Sequence, residues 1–158
     1  MKQKALVVIA CILAANTAST AFAHEHHAPH KGTLVEFGEE FAHLEIVLDA
    51  TGKLSAYALD GEAEKAVRLK QAEIVIAIIG VKGLDSITLK AQASPLSGET
   101  VGDSSEFAAQ SDSLKGVTQF DGVVKDITTR GTNFKDVKFN FPKGNEDAEG
   151  SKKPEPKK

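Results

Sequence analysis

The sequence predicts an all-β protein: a single antiparallel β-sandwich of the immunoglobulin-like kind, with about seven to nine strands. Three observations predict it. Apolar residues recur at every second position through much of residues 33–142. Turn residues separate the short apolar runs, and no segment sustains the 3.6-residue period of an amphipathic helix. A closed barrel satisfies the same pattern, because counting strands does not separate two facing sheets from one curled sheet.

The elements follow in order. Lys2 and Lys4 form a short basic region, Ala5 to Ala15 is an apolar run too short to span a bilayer, and Ala21-Phe22-Ala23 supplies a small-x-small cleavage pattern. Residues 1–23 are therefore expected to be a cleaved signal peptide. Val8-Ile9-Ala10-Cys11 has some likeness to a lipoprotein processing box, but the apolar run continues past Cys11 through Ile12-Leu13-Ala14-Ala15, which disfavours lipidation. The expectation is a secreted, periplasmic protein with no stable membrane insertion. Residues 24–32 carry Pro29 and Gly32 among the histidines and read as an irregular arm.

Within the domain, Leu44, Ile46 and Leu48 alternate with His43, Glu45, Val47 and Asp49. Asp49-Ala50-Thr51-Gly52 is a compact turn, and Lys53 to Asp60 returns as the second strand of a hairpin. Val67 to Leu69 begins another extended piece. Glu73 to Ile79 is nearly continuous in apolar residues and ends at Gly80, which suits a strand covered on both faces. Ser86 to Ala93 alternates, with Ile87, Leu89, Ala91 and Ala93 inward. Phe107 and Ala109 mark a short strand, Ser111 to Lys115 one helical turn, and Val123 to Thr129 a further strand. Lys135 to Phe141 closes the domain with Val137, Phe139 and Phe141 on one face. Residues 143–158 hold no apolar side chain larger than alanine and are expected to be a disordered, charged tail.

Charge and composition exclude several functions. The chain has 19 basic and 22 acidic residues, for a net charge of −3, and loss of Lys2 and Lys4 makes the mature protein more acidic. Such a balance is a poor match for nucleic acid or anionic lipid. The sole cysteine, Cys11, lies in the signal segment. No disulfide, thiolate metal ligand or cysteine nucleophile is expected in the mature chain. Gly80 and Gly83 flank Val81-Lys82 without phosphate-binding spacing, and no nucleophile elbow or helical zinc-hydrolase motif occurs. The protein is not expected to be an enzyme.

Chemistry concentrates in His24-Glu25-His26-His27-Ala28-Pro29-His30, which holds four of the five histidines. Cleavage after Ala23 places His26 third behind a free α-amine. The amine, two backbone amides and the third-position imidazole can wrap a square-planar ion, favouring Cu(II) or Ni(II) over tetrahedral Zn(II). His24, Glu25, His27 and His30 are further candidate ligands. The plain alternative is a solvated histidine cluster that binds metal only adventitiously. His43 shares a strand face with Glu45, which could orient its imidazole, although an ordinary histidine on a polar face is the simpler reading. Asp60, Glu62 and Glu64 form an acidic cluster in a turn, better read as a solvated loop than as a cation site.

The run from Ala28-Pro29-His30-Lys31-Gly32 through Phe41-Ala42-His43-Leu44-Glu45, continuing to Tyr57-Ala58-Leu59-Asp60-Gly61, resembles a group of small bacterial secreted proteins. It also resembles segments attached to periplasmic adaptor subunits of heavy-metal efflux systems. The resemblance spans about residues 28–70 and implies an envelope location, a β-rich domain and metal-linked biology. It carries over His30 and His43 as candidate metal contacts. The group commonly has Gly-Gly after its first histidine, where this chain has Lys31-Gly32.

The expected function is periplasmic binding or buffering of a divalent metal, copper above all, with an efflux component of the envelope as partner. The competing expectation is a non-enzymatic envelope interaction module with an incidental histidine-rich terminus. The apolar strands 43–49 and 74–79 would then offer its docking faces.

Overall fold

The computed structural model describes residues 27–145. The expected signal segment, His24, Glu25, His26 and residues 146–158 of the expected tail lie outside the described residues. Eight strands follow in order: β1 (Thr33–Phe37), β2 (Ala42–Leu48), β3 (Lys53–Leu59), β4 (Glu73–Ile79), β5 (Ser86–Ala91), β6 (Glu106–Gln110), β7 (Phe120–Thr129) and β8 (Thr132–Phe141). A single 3-10 turn, Asp112–Leu114, stands where the helical turn was expected.

All-β, antiparallel structure is borne out; the division into two sheets is not. The strands form one sheet in the order β1-β2-β3-β6-β5-β4-β7-β8, every neighbouring pair antiparallel. The sheet curls until β1 and β8 touch, giving a nearly closed barrel. Side chains complete the seam. Asn145 accepts from the Glu36 N–H at 2.7 Å and donates to the Glu36 carbonyl at 3.1 Å, while Thr33 Oγ1 donates to the Pro142 carbonyl. Phe37, Leu44, Leu54, Ile76, Leu89, Phe107, Val124 and Phe139 share a single core. Alternation identifies the inner face of each strand, but one curved sheet and two opposed sheets produce the same alternation.

Three finer expectations change. Glu73 to Ile79 is not covered on both faces: Ile74, Ile76 and Ile78 are buried, whereas Ile79 is exposed. Ala93 is exposed because β5 ends at Ala91. Residues 67–69 form no strand of their own: Val67 N–H donates to the Ala58 carbonyl of β3 at 2.9 Å, and Leu69 forms an isolated bridge with Ser104. The β2–β3 hairpin forms as expected. Its turn is held by Asp49, whose carboxylate accepts from Thr51 N, Thr51 Oγ1 and Lys53 N at 2.6–3.0 Å. The Thr51 hydroxyl, with those backbone N–H groups, holds the Asp49 carboxyl below the usual carboxylate range. Gly52 is needed there: φ is +84°, and a Cβ would lie 2.3 Å from the Ser111 carbonyl oxygen.

β1 follows the histidine segment and carries no clean alternation, since Leu34 and Val35 are adjacent and both buried. Val35 points into the barrel core. Leu34 joins Leu59, Ala63 and Ala28 in a small cluster on the outer face. That second cluster shows that the outside of β1–β3 is covered, and its cover creates the site below.

Candidate histidine site

Strand geometry places the site. Leu44 and Ile46 of β2 face the core, so His43 and Glu45 face outward. Antiparallel register sets Leu34, Glu45 and Tyr57 in one row across β1–β3, and Glu36, His43 and Leu59 in the next. Residues 28–32 and the loop following β3 lie over these rows. Glu45 and His43 are consequently buried, at 0% and 1% exposure. A polar face in solvent was the simpler sequence expectation for His43, and the covering segments overturn it.

The covering segment turns sharply. Lys31 N–H donates to the Ala28 carbonyl at 3.0 Å, and Lys31 adopts φ +60°. That left-handed conformation favours glycine, and a lysine holds it here. Gly32 then passes close to β2: a Cβ there would sit 2.6 Å from the Ile46 carbonyl oxygen and 2.8 Å from Glu45 Cγ. Only glycine permits this approach.

Glu45 holds the segment. Its Oε1 accepts from the backbone N–H groups of His30 and Gly32, both at 2.8 Å. Its Oε2 lies 2.8 Å from His30 Nδ1. The His30 ring stacks on Tyr57, with centroids 3.8 Å apart and planes inclined by 14°. Burial raises the Tyr57 hydroxyl pKa, and the nearby Glu106 charge adds to it. Nδ1 is the ring nitrogen that faces Glu45, which leaves Nε2 as the other nitrogen of a side chain that is 45% exposed.

Glu45 therefore orients His30 and not His43, the partner suggested by their shared strand face. His43 instead has its Nδ1–H donating to the Asp60 carbonyl at 3.1 Å. The acidic turn folds on itself, as Asp60 Oδ1 accepts from Glu64 N at 3.0 Å and Lys65 N at 3.2 Å. Burial works to raise the Asp60 pKa, but those N–H groups outweigh it and the net shift is downward.

His27 is exposed beside the docked segment. His24, Glu25 and His26 precede it outside the described residues. Among the described residues, no group of three His, Cys, Asp or Glu side chains is placed to hold a metal ion. His30 is the described residue whose chemistry fits one: an oriented imidazole with its second nitrogen available. The remaining ligands would have to come from His27 and the residues before it.

Sequence reasoning found both histidines and Glu45 but missed Tyr57 and the His30–Glu45 pair. A usable signal was present. Glu45 sits among apolar neighbours on an otherwise half-apolar outer row, and Pro29 and Gly32 bracket a turn that can bring His30 back. In comparisons with known proteins, no family model, curated protein or solved structure matches the chain.

Proposed function

We propose that the protein captures a divalent metal ion in the periplasm through its N-terminal histidines, binding Cu(II) above all, and passes it to an envelope metal-efflux component. The reaction is ligand exchange, with no covalent chemistry. One observation carries this reading: His30, the last histidine of the cluster, is anchored to the barrel by a buried carboxylate with Nε2 left over. A loose histidine tail supplies ligands at random positions, whereas this cluster grows from a fixed imidazole. The absence of cysteine after the signal segment favours Cu(II), Ni(II) or Zn(II) over soft cuprous chemistry.

The α-amine chelate at His24 and His26 belongs to the same proposal and depends on cleavage after Ala23. The test is a Cu(II) titration of protein beginning at His24, with a variant carrying one extra N-terminal residue alongside. A square-planar absorption band present in the first and lost in the second supports the chelate. Binding by both proteins no stronger than by a generic histidine tag contradicts the proposal.

A second reading, an envelope interaction module, draws on a different feature. Leu96 and Val101 are exposed on the 94–103 loop, two successive turns closed by the Ser94–Glu99 and Thr100–Asp103 bridges. That loop is fixed by Arg68 and Lys70 on Asp103, and by Ser97 and Ser105 on Glu99. Pull-down with and without residues 24–32 separates the readings, since only metal hand-over requires the histidines.

A further inference from the structure

We propose that Glu45 is a positioning residue that makes His30 a dedicated Nε2 metal ligand by fixing its tautomer. The inference rests on the metal-capture reading and names how that site is prepared. A neutral imidazole carries one proton, and whichever nitrogen holds it is closed to metal. In solution both tautomers exist and the ring rotates freely. Here Oε2 of Glu45, 2.8 Å from Nδ1, presents only acceptor character and keeps the proton on Nδ1. The stack on Tyr57 stops the ring from rotating, and the two backbone bonds to Oε1 stop the segment from sliding. A carboxylate partner on the far nitrogen also raises the basicity of the ligating one. These constraints come from four separate contacts and converge on one bare Nε2.

Glu45→Gln separates positioning from docking. The amide oxygen of Gln can still accept from His30 N–H and Gly32 N–H. Its NH2 then faces His30 Nδ1 and is a donor, so the imidazole must present a lone pair there and carry its proton on Nε2. The segment stays docked, but the ligating nitrogen is closed. Loss of a carboxylate partner of this kind typically weakens metal binding by about 10- to 100-fold.

The experiment uses protein beginning at His24, with Zn(II) alone as the diamagnetic probe. Long-range 1H–15N spectra give the His30 tautomer, and chelator competition gives affinity. The wild type should show Nδ1–H, with Nε2 shifting on zinc addition. Glu45→Gln should show Nε2–H, retained protection of the His30 and Gly32 amides, and about 10- to 100-fold weaker binding. His30→Gln should weaken binding comparably, and adding Glu45→Gln to it should have no further effect. An Nε2–H tautomer in the wild type overturns the proposal, as does unchanged affinity in an inverted Glu45→Gln. Should Glu45→Gln release the segment, His30→Gln decides, because it leaves Glu45 and its backbone bonds intact; unchanged affinity there also overturns the proposal. A wild type that binds no zinc beyond a generic tag ends the capture reading and the ligand role with it. An Nδ1–H tautomer in that case identifies the His30–Glu45 pair as purely structural.

Discussion

Glu45→Ala tests the structural half of the account. The buried carboxylate accepts three hydrogen bonds, from His30 N, Gly32 N and His30 Nδ1. Bonds to a charged acceptor contribute about 1.5–3 kcal/mol each when the partner is left stranded. The full sum is not reached, because residues 28–32 can lift away and let water satisfy their N–H groups. Truncation also removes the cost of burying a carboxylate. The loss is therefore bounded by what docking contributes. That comprises the His30–Tyr57 stack at about 0.5–1.5 kcal/mol, the cover over Leu34 and Leu59 at about 1–2 kcal/mol, and the remaining hydrogen bonding. The expected destabilisation is about 2–4 kcal/mol, or roughly 8–16 °C in Tm for a domain of this size. Urea and thermal melts by circular dichroism measure it, and hydrogen exchange at the His30 and Gly32 amides shows where it arises. A Glu45→Ala protein within about 0.5 kcal/mol of wild type, with both amides still protected, refutes the reasoning.

Other outcomes follow from the same geometry. Gly32→Ala forces a methyl group against the Ile46 carbonyl and should cost about 1–3 kcal/mol, with lost protection confined to residues 28–32; thermal melts combined with hydrogen exchange check both. Lys31→Gly relieves a left-handed φ of +60° while adding freedom to the unfolded chain, so stability should rise by no more than about 1 kcal/mol in urea melts. Glu99 is held below the usual carboxylate range by the Ser105 hydroxyl first, then by Ser97, and Asp103 by Lys70 and then Arg68. Lowered folded-state pKa values mean that the unfolded chain binds more protons in acid. Their stabilisation is present above the ordinary carboxylate pKa and is lost as pH falls through the lowered values. A Glu99→Gln, Asp103→Asn protein should therefore show a flatter dependence of Tm on pH below about pH 4, and an acid limb as steep as wild type would count against these contacts.

The β2–β3 hairpin stands nearly where alternation and turn chemistry put it, and Glu73–Ile79 where a continuous apolar run ending at Gly80 put it, although that strand has one open face. β1 was not legible, because its outer face is covered by residues that precede it, which erases the alternation at Leu34 and Val35. Barrel closure was not legible for a different reason. It depends on Asn145 reaching Glu36 across the seam, a long-range pairing that no local pattern encodes.

The candidate site divides in the same way. Chemistry-bearing residue types are visible in a sequence, so His30, His43 and Glu45 were found. Their partners depend on what folds over them. His43 and Glu45 share a face and look like a pair, yet each reaches to a different covering segment, His43 to Asp60 and Glu45 to His30. Tyr57 carried no signal of its own until register placed it across from Glu45.

The central claim is that the fold prepares the histidine cluster for metal. The most direct test compares protein beginning at His24 with a free peptide of residues 24–32, each competing with a chelator for Zn(II), whose tetrahedral preference is not met by the square-planar α-amine chelate that both share. If Glu45 and Tyr57 prepare His30, the protein binds about 10- to 100-fold more tightly than the peptide. Equal affinities would mean that the barrel adds nothing to the histidines it carries, and would contradict the account.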